Sequence, residues 1–327
     1  LIQKLTIGHE SWPIAGAFTI SRGSKTTADV VVVTLERDGA KGWGECVPYR
    51  HYGETVPTVM KALEACRNRI EQGVKRQEVP TLLKPRAAQN ALDCALWDLE
   101  AKLTGQRVWQ RLGLPQPKPL TTAFTLSLDT AAKMATAASR AAERPLLKLK
   151  LGASDDAKRL RAIREAAPRS RLIVDANEGW SVDELPMLLE VCAETGVELV
   201  EQPLPAGQDE ALRHLKRTVP ICADESSHDR SDLPALAGKY DAINIKLDKA
   251  GGLSSALALR RDAENLGLKI MVGCILSTSL SMAPAGLVAQ NAQVVDLDGP
   301  LLLARDREPG IRYEGGLMHP APVALWG

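Results

Sequence analysis

The sequence predicts an α/β protein: a modified (β/α)8 barrel preceded by an α+β domain. Three observations predict it. Between Leu146 and Lys246, the apolar runs LLKLK, RLIVD, GVELVE, VPICAD and DAINIK each end on a charge: Lys150, Asp175, Glu201, Asp224 and Lys246. The spacings of 25, 26, 23 and 22 residues each fit one strand, one helix and two loops. The first stretch of the chain instead runs strands first and helices after, the order of an α+β domain. Prolines at 115, 117 and 119 divide the two regions. Domains are therefore expected at 1–118, joined by part of the tail (300–327), and at 119–299.

Three strands open the chain. LIQKLTIG alternates apolar and polar residues. A second strand lies near AFTISRG, bracketed by Gly16 and by a loop at Ser21–Ser24. The third is DVVVVTLERDG, where Asp38-Gly39 is a hairpin turn into GWGEC. Tyr49–Gly53 is another polar loop. From Val56 the period becomes helical: Val59, Leu63 and Cys66 share a face, and Ala87–Leu103 turns Ala91, Leu92, Ala95, Leu96 and Leu99 inward. Past the prolines, TTAFTLSL is a strand, and Asp129 is expected to cap a helix over Ala131–Ala142. The five units follow. LKIMVGC and VVDLD bring the strands to eight, enough to close a barrel. The turn-rich GIRYEGGLMHP is expected to fold back onto the first domain.

Composition narrows the class. Hydrophobic residues at 45% and charged residues at 25% are globular values and argue against disorder. A net charge of +1 gives no general reason to expect nucleic acid or an acidic membrane. No apolar run is long enough to span a bilayer, and LIQKLTIGHE has no signal-peptide pattern. The six cysteines lack CxxC spacing and read as reduced thiols, so a cytoplasmic location is expected. Whether the chain forms a homo-oligomer is left open. Gly42-Trp43-Gly44 is too short for a dinucleotide fingerprint. The five histidines have no metal spacing. The basic stretch 158–171 alternates with apolar positions, as a solvated helix face does.

A charge at the end of a strand buried on both faces needs a reason. In a barrel these ends face one mouth. Asp175, Glu201 and Asp224 then form a hard all-oxygen ligand set, suited to magnesium or manganese; separately, each could cap the helix that follows. Lys148 and Lys150 share a face. If it points inward, neighbouring cations and a metal lower a lysine pKa toward that of a usable base; an exposed edge strand is the alternative. Lys246 should lie across the mouth from Lys150. Asp248 and Lys249 read as loop charges. Asp296 and Asp298 share a face and suit a cationic group, or form a solvated Gly-Pro turn.

The motifs SRGSKT, GECVPYRHYGE, NALDCALWDLEAK, LKLKLG, VDANEGW, VEQPLP, CADES, NIKLDKAGGL and DLDGP cover nearly the whole chain. Together they resemble the enolase superfamily in its muconate-lactonizing subgroup, and most closely the dipeptide epimerases that interconvert L-Ala-L-Glu and L-Ala-D-Glu. The resemblance implies a (β/α)7β barrel under a capping domain, and Mg2+ on Asp175, Glu201 and Asp224. It implies Lys150 and Lys246 as the two acid–base catalysts, with Lys148 supporting the substrate carboxylate. Asp296 and Asp298 would hold the ammonium of the dipeptide, Thr125 would touch substrate, and Arg22 would pair with a glutamyl side chain. Alternatives within the subgroup are a muconate cycloisomerase and an o-succinylbenzoate synthase or N-acylamino acid racemase-like enzyme. An idle metal-binding scaffold is the alternative outside catalysis.

Overall fold

The computed structural model describes residues 3–327. Leu1 and Ile2, which the alternation puts at the head of the first strand, lie outside the described residues. Strands β1 (Lys4–Ile20), β2 (Gly23–Arg37) and β3 (Ala40–Cys46) form an antiparallel sheet in that order. The two strands expected before residue 24 are one. β1 runs through Pro13 and takes up a register shift between Pro13 and Phe18. It lies at the sheet edge, where proline and a bulge are tolerated. Ser21 and Arg22 accordingly sit in a hairpin turn. Asp38 and Gly39 both have positive φ, 50° and 79°, as the expected two-residue turn requires.

The helix Arg86–Thr104 packs on β3 at very close range. A Cβ on Gly42 or Gly44 would meet the Ala95 or Ala91 carbonyl oxygen at 2.3 and 2.0 Å. The GWG motif is therefore a packing surface. Val31, Val33 and Leu35 meet Val59, Leu63, Leu92 and Ala95 in a dry core beneath this layer.

Strands β5 (Phe124–Leu126), β6 (Leu146–Lys150), β7 (Arg171–Asp175), β8 (Val197–Glu201), β9 (Ile221–Ala223), β10 (Ala242–Ile245), β11 (Lys269–Gly273) and β12 (Val294–Asp296) form a parallel eight-stranded sheet in sequence order. Ala123 N–H donates to Val295 O at 2.8 Å and ties its two edges together. TTAFTLSL is divided. Its first residues form β4 (Leu120–Thr121), which pairs outside the barrel with β14 (Leu317–Met318), itself paired to β13 (Tyr313–Glu314). Thr130, not Asp129, caps the next helix: its hydroxyl accepts from Lys133 N, while Asp129 only reaches Thr130 N. The GIRYEGGLMHP segment does not fold onto the first domain as expected: Tyr313 Oη donates to Leu297 O and Ile311 N to Ser279 Oγ, on the barrel side. The last residues do reach the first domain, where Trp326 Nε1 donates to Cys94 O and Gly327 N to Asp98 Oδ1.

The barrel interior has two layers, because alternate residues of a strand point the same way. The lower layer is apolar: Ala123, Leu146, Ile173, Leu199, Cys222, Ala242, Met271 and Val294 form one cluster. Two residues further along each strand come Thr125, Lys148, Asp175, Glu201, Asp224, Asn244, Gly273 and Asp296. Apolar packing thus closes the floor, and nearly every polar interior group sits just above it. Gly273 adds no side chain, since a Cβ there would lie 2.7 Å from the Asn244 amide.

Candidate active site

Asp175, Glu201 and Asp224 offer carboxylate oxygens that all lie within 4.8 Å of one another. All three are buried. Register explains the convergence: Lys150 pairs with Asp175, and Asp175 with Glu201, on neighbouring strands. Lys148 Nζ lies 2.6 Å from Asp296, 2.7 Å from Glu201 and 3.1 Å from Asp175. Lys150 Nζ lies 2.6 Å from Asp175 Oδ2, and Lys246 Nζ 2.6 Å from Asp224 Oδ2. Lys150 and Lys246 come from the second and sixth of eight strand positions, opposite sides of the ring. Asp298 Oδ2 accepts from Thr125 N at 2.7 Å.

Arg22 reaches this group from the β1–β2 turn. Its guanidinium donates to Glu225 Oε1 at 2.7 Å and to Glu178 Oε2 and Asn177 O at 2.9 Å. Phe18, on the same hairpin, has its ring 5.7 Å from Lys150 Nζ. The structure therefore brings all ten residues expected at the site to one end of the barrel.

Three further residues support it, and a fourth, Asp248, lies beside Lys249 in the chain. Lys249 is buried, with its ammonium on Asp224 Oδ1, Asp224 O and Asn244 O. Asp248 is also buried and accepts from Val47 N and Asn90. Neither is a loop charge, which corrects the sequence reading. Asn244 donates to Glu201 Oε1 at 2.7 Å. Gln202 holds the Asp224–Ser226 turn by accepting from Asp224 N and Ser226 N. The signal for Asn244 was its place two residues before Lys246, on the same strand face.

The charges are strongly perturbed. Burial raises the Asp175 and Asp224 carboxyls, but Lys150 and Lys148 hold the first, and Lys246 and Lys249 the second, below the ordinary range. Glu201 is pushed up to about 8 by burial and by Asp175. Burial lowers Lys148 and Lys246, yet Asp296 and Glu201 for the first, and Asp224 and Glu201 for the second, raise both above the usual lysine value. The chain's own charges thus raise these lysines, opposite to the expected lowering, which needs added positive charge. Burial and Asp296 push Asp298 up to about 7.

The donor set fits a hard divalent cation. It is all oxygen, and its donor atoms lie close enough for side-chain adjustment to bring them to the bonds of about 2.0–2.1 Å that magnesium makes. Glu201 Oε2 faces the cluster without an aligned hydrogen-bond donor, although Lys148 Nζ is 2.7 Å away. Asp296 Oδ1 is likewise buried and unpartnered.

A barrel with acids and Lys148 on its second interior layer and Lys150 and Lys246 just above them, reached by a loop from an α+β domain, defines an enolase-type architecture. Residues 2–113 match the mandelate racemase/muconate lactonizing enzyme N-terminal domain, and residues 131–321 match the enolase C-terminal domain-like family. The chain belongs to this family. It is 43% identical to the L-Ala-D/L-Glu epimerase of Escherichia coli, covering 97% of this chain and all of that one. It is also 43% identical to an N-acetyl-D-glutamate racemase of a Pseudoalteromonas species, covering 91% and 95%. Among solved structures, an enolase family member from Agrobacterium tumefaciens with homology to dipeptide epimerases, holding sodium and L-Ala-L-Glu, superposes with a TM-score of 0.97. It is 53% identical, with 99% of this chain and 100% of that one covered.

Proposed function

We propose that the protein is a Mg2+-dependent dipeptide epimerase that interconverts L-Ala-L-Glu and L-Ala-D-Glu. The observation that carries this reading is the pair Lys150 and Lys246, on opposite strands across a three-carboxylate cluster. Asp175, Glu201 and Asp224 would hold the ion, which supplies positive charge to the dianion left when a carbon acid beside a carboxylate loses its proton. Lys148 adds an ammonium at the same point. One lysine amine takes the α-hydrogen as a proton; the opposite lysine ammonium returns a proton to the other face. The α-carbon inverts, and the enzyme's total proton count is unchanged.

Asp296 and Asp298 support a substrate with a cationic end. Two adjacent buried carboxylates, one with an unpartnered oxygen and the other held near 7, are eased by an ammonium. An N-acyl amino acid has no such cation, which favours a dipeptide over an N-acyl substrate. Arg22 is assigned to the acidic side chain, and turnover of murein peptides in the cytoplasm is the use proposed. The division at 118/119, with part of the tail on the first domain, is proposed with it.

The test is α-proton exchange followed by NMR in deuterated water. Both epimers of Ala-Glu should exchange with Mg2+, stop in excess chelator and resume on its return. N-acetylglutamate should exchange far more slowly; faster exchange than the dipeptide would replace this reading with the racemase one. Lys150→Ala should keep exchange of L-Ala-L-Glu only, and Lys246→Ala that of the D-epimer only. Equal exchange of both epimers by either variant would end the two-base mechanism.

A further inference from the structure

Arg22 is already paired with two carboxylates. One side of its guanidinium meets Glu225, whose side chain is 1% exposed; the other meets Glu178, whose side chain is 14% exposed. A third acceptor, Asn177 O, completes the set. An acidic substrate side chain therefore approaches a cation that two internal carboxylates neutralise. A close ion pair with Arg22 thus competes with one of them.

The two are not equivalent. Glu225 adjoins Asp224 and takes a second contact from Asn177 Nδ2 at 3.3 Å, so release would strand it in the interior. Glu178 lies at the rim. It is presented there by backbone of unusual shape: Asn177 and Glu178 have φ of 45° and 66°, costly for non-glycine residues. That shape is held by Asn177 N on Asp175 Oδ1 and by Glu178 N on Gln202 O. Glu178 Oε1 accepts from Ala206 N, which fixes the carboxylate and leaves Oε2 for Arg22. His51 Nε2 stands 3.2 Å from the same Oε2, on the other first-domain loop. A partner for Glu178 therefore remains when Arg22 leaves.

We propose that Glu178 is a specificity-determining residue. It is an internal competitor that occupies Arg22 and that the side-chain carboxylate of an acidic dipeptide displaces, while Glu225 stays bound. This rests on the assignment of Arg22 to the substrate side chain. Glu178 moderates how strongly acidic substrates are favoured over neutral isosteres, because an acidic side chain must break the Arg22 pair against the charge of Glu178, whereas a neutral one leaves that pair in place.

The experiment compares kcat/KM for L-Ala-L-Glu with that for L-Ala-L-Gln in wild type, Glu178→Gln and Arg22→Ala. Glutamine keeps the shape and the acceptor for Ala206 N but removes the competing charge. The Glu/Gln preference should rise about threefold to fivefold in Glu178→Gln, the size of one partly exposed ion pair. A merely structural latch would lower both substrates together and leave the ratio unchanged; that result, or a fall in the ratio, overturns the inference. Glu178→Ala should raise the ratio as well, and no rise in either variant has the same meaning. In Arg22→Ala the ratio should collapse. If it survives there, the assignment of Arg22 fails. If it collapses there but does not rise in Glu178→Gln, only the competitor role fails.

Discussion

Lys249 is the residue whose role changed most between sequence and structure. Its ammonium lies 2.6 Å from Asp224 Oδ1, while Lys246 takes Oδ2. One carboxylate is thus fixed by two cations. Lys249→Met leaves Asp224 with a single partner in a buried setting. Breaking a buried pair costs about 3–5 kcal/mol, and the remaining Lys246 contact places this variant at the lower end. Urea unfolding should show the loss as a lower midpoint; an unchanged midpoint would mean the contact contributes nothing. Asp175, Glu201 and Asp224 were legible because a charge ending an apolar run has few bland explanations. Lys249 was not, because it lies on a single helical turn, Leu247–Ala250, too short to show periodicity. Glu178 and Glu225 were hidden differently: their neighbours Asn177 and Asp224 are also polar, and only the backbone shape decides which carboxylate meets Arg22.

At the level of elements, the repeating strand–helix units were readable from spacing, and the errors fell at their edges. β1 was broken in two because Pro13 and Gly16 normally interrupt strands, and its edge position was invisible in one dimension. TTAFTLSL was kept whole because nothing local says that its first residues pair with the tail. The junction of the helix Arg86–Thr104 with the helix Leu253–Asn265 was also unforeseen. Asp93 from the first accepts Ser254 N and Oγ of the second at 2.9 and 2.7 Å. Burial nevertheless pushes Asp93 up to about 6, and the Ser254 hydrogen bonds only partly offset it. The folded chain therefore binds this proton more tightly than the unfolded chain. Its contribution to stability is greatest below the ordinary aspartate value and is lost as pH rises through 6. Asp93→Asn removes the titration. Between pH 5 and pH 8 the variant should gain about 1 kcal/mol relative to wild type. Urea midpoints at the two pH values test this, and a constant difference would show that Asp93 does not titrate there.

For the whole molecule, three buried carboxylates from β7, β8 and the end of β9 concentrate negative charge at one point, so a bound cation should stabilise the entire fold. Magnesium at a hundredfold excess over its Kd should add about 2.7 kcal/mol to unfolding. The rise in midpoint should shrink in Glu201→Gln, and no rise in wild type would exclude a folded-state ion site. The fold also separates address from chemistry. The lysines and acids are rooted in barrel strands over a sealed apolar floor, whereas Arg22 sits at the turn of a hairpin from the other half of the chain. On the proposed assignment of Arg22, mutations in that turn should re-address the enzyme toward another side chain and leave the barrel lysines in register. Inheritance can therefore vary the diet of such a protein one short loop at a time, and its catalytic strands need not change with it.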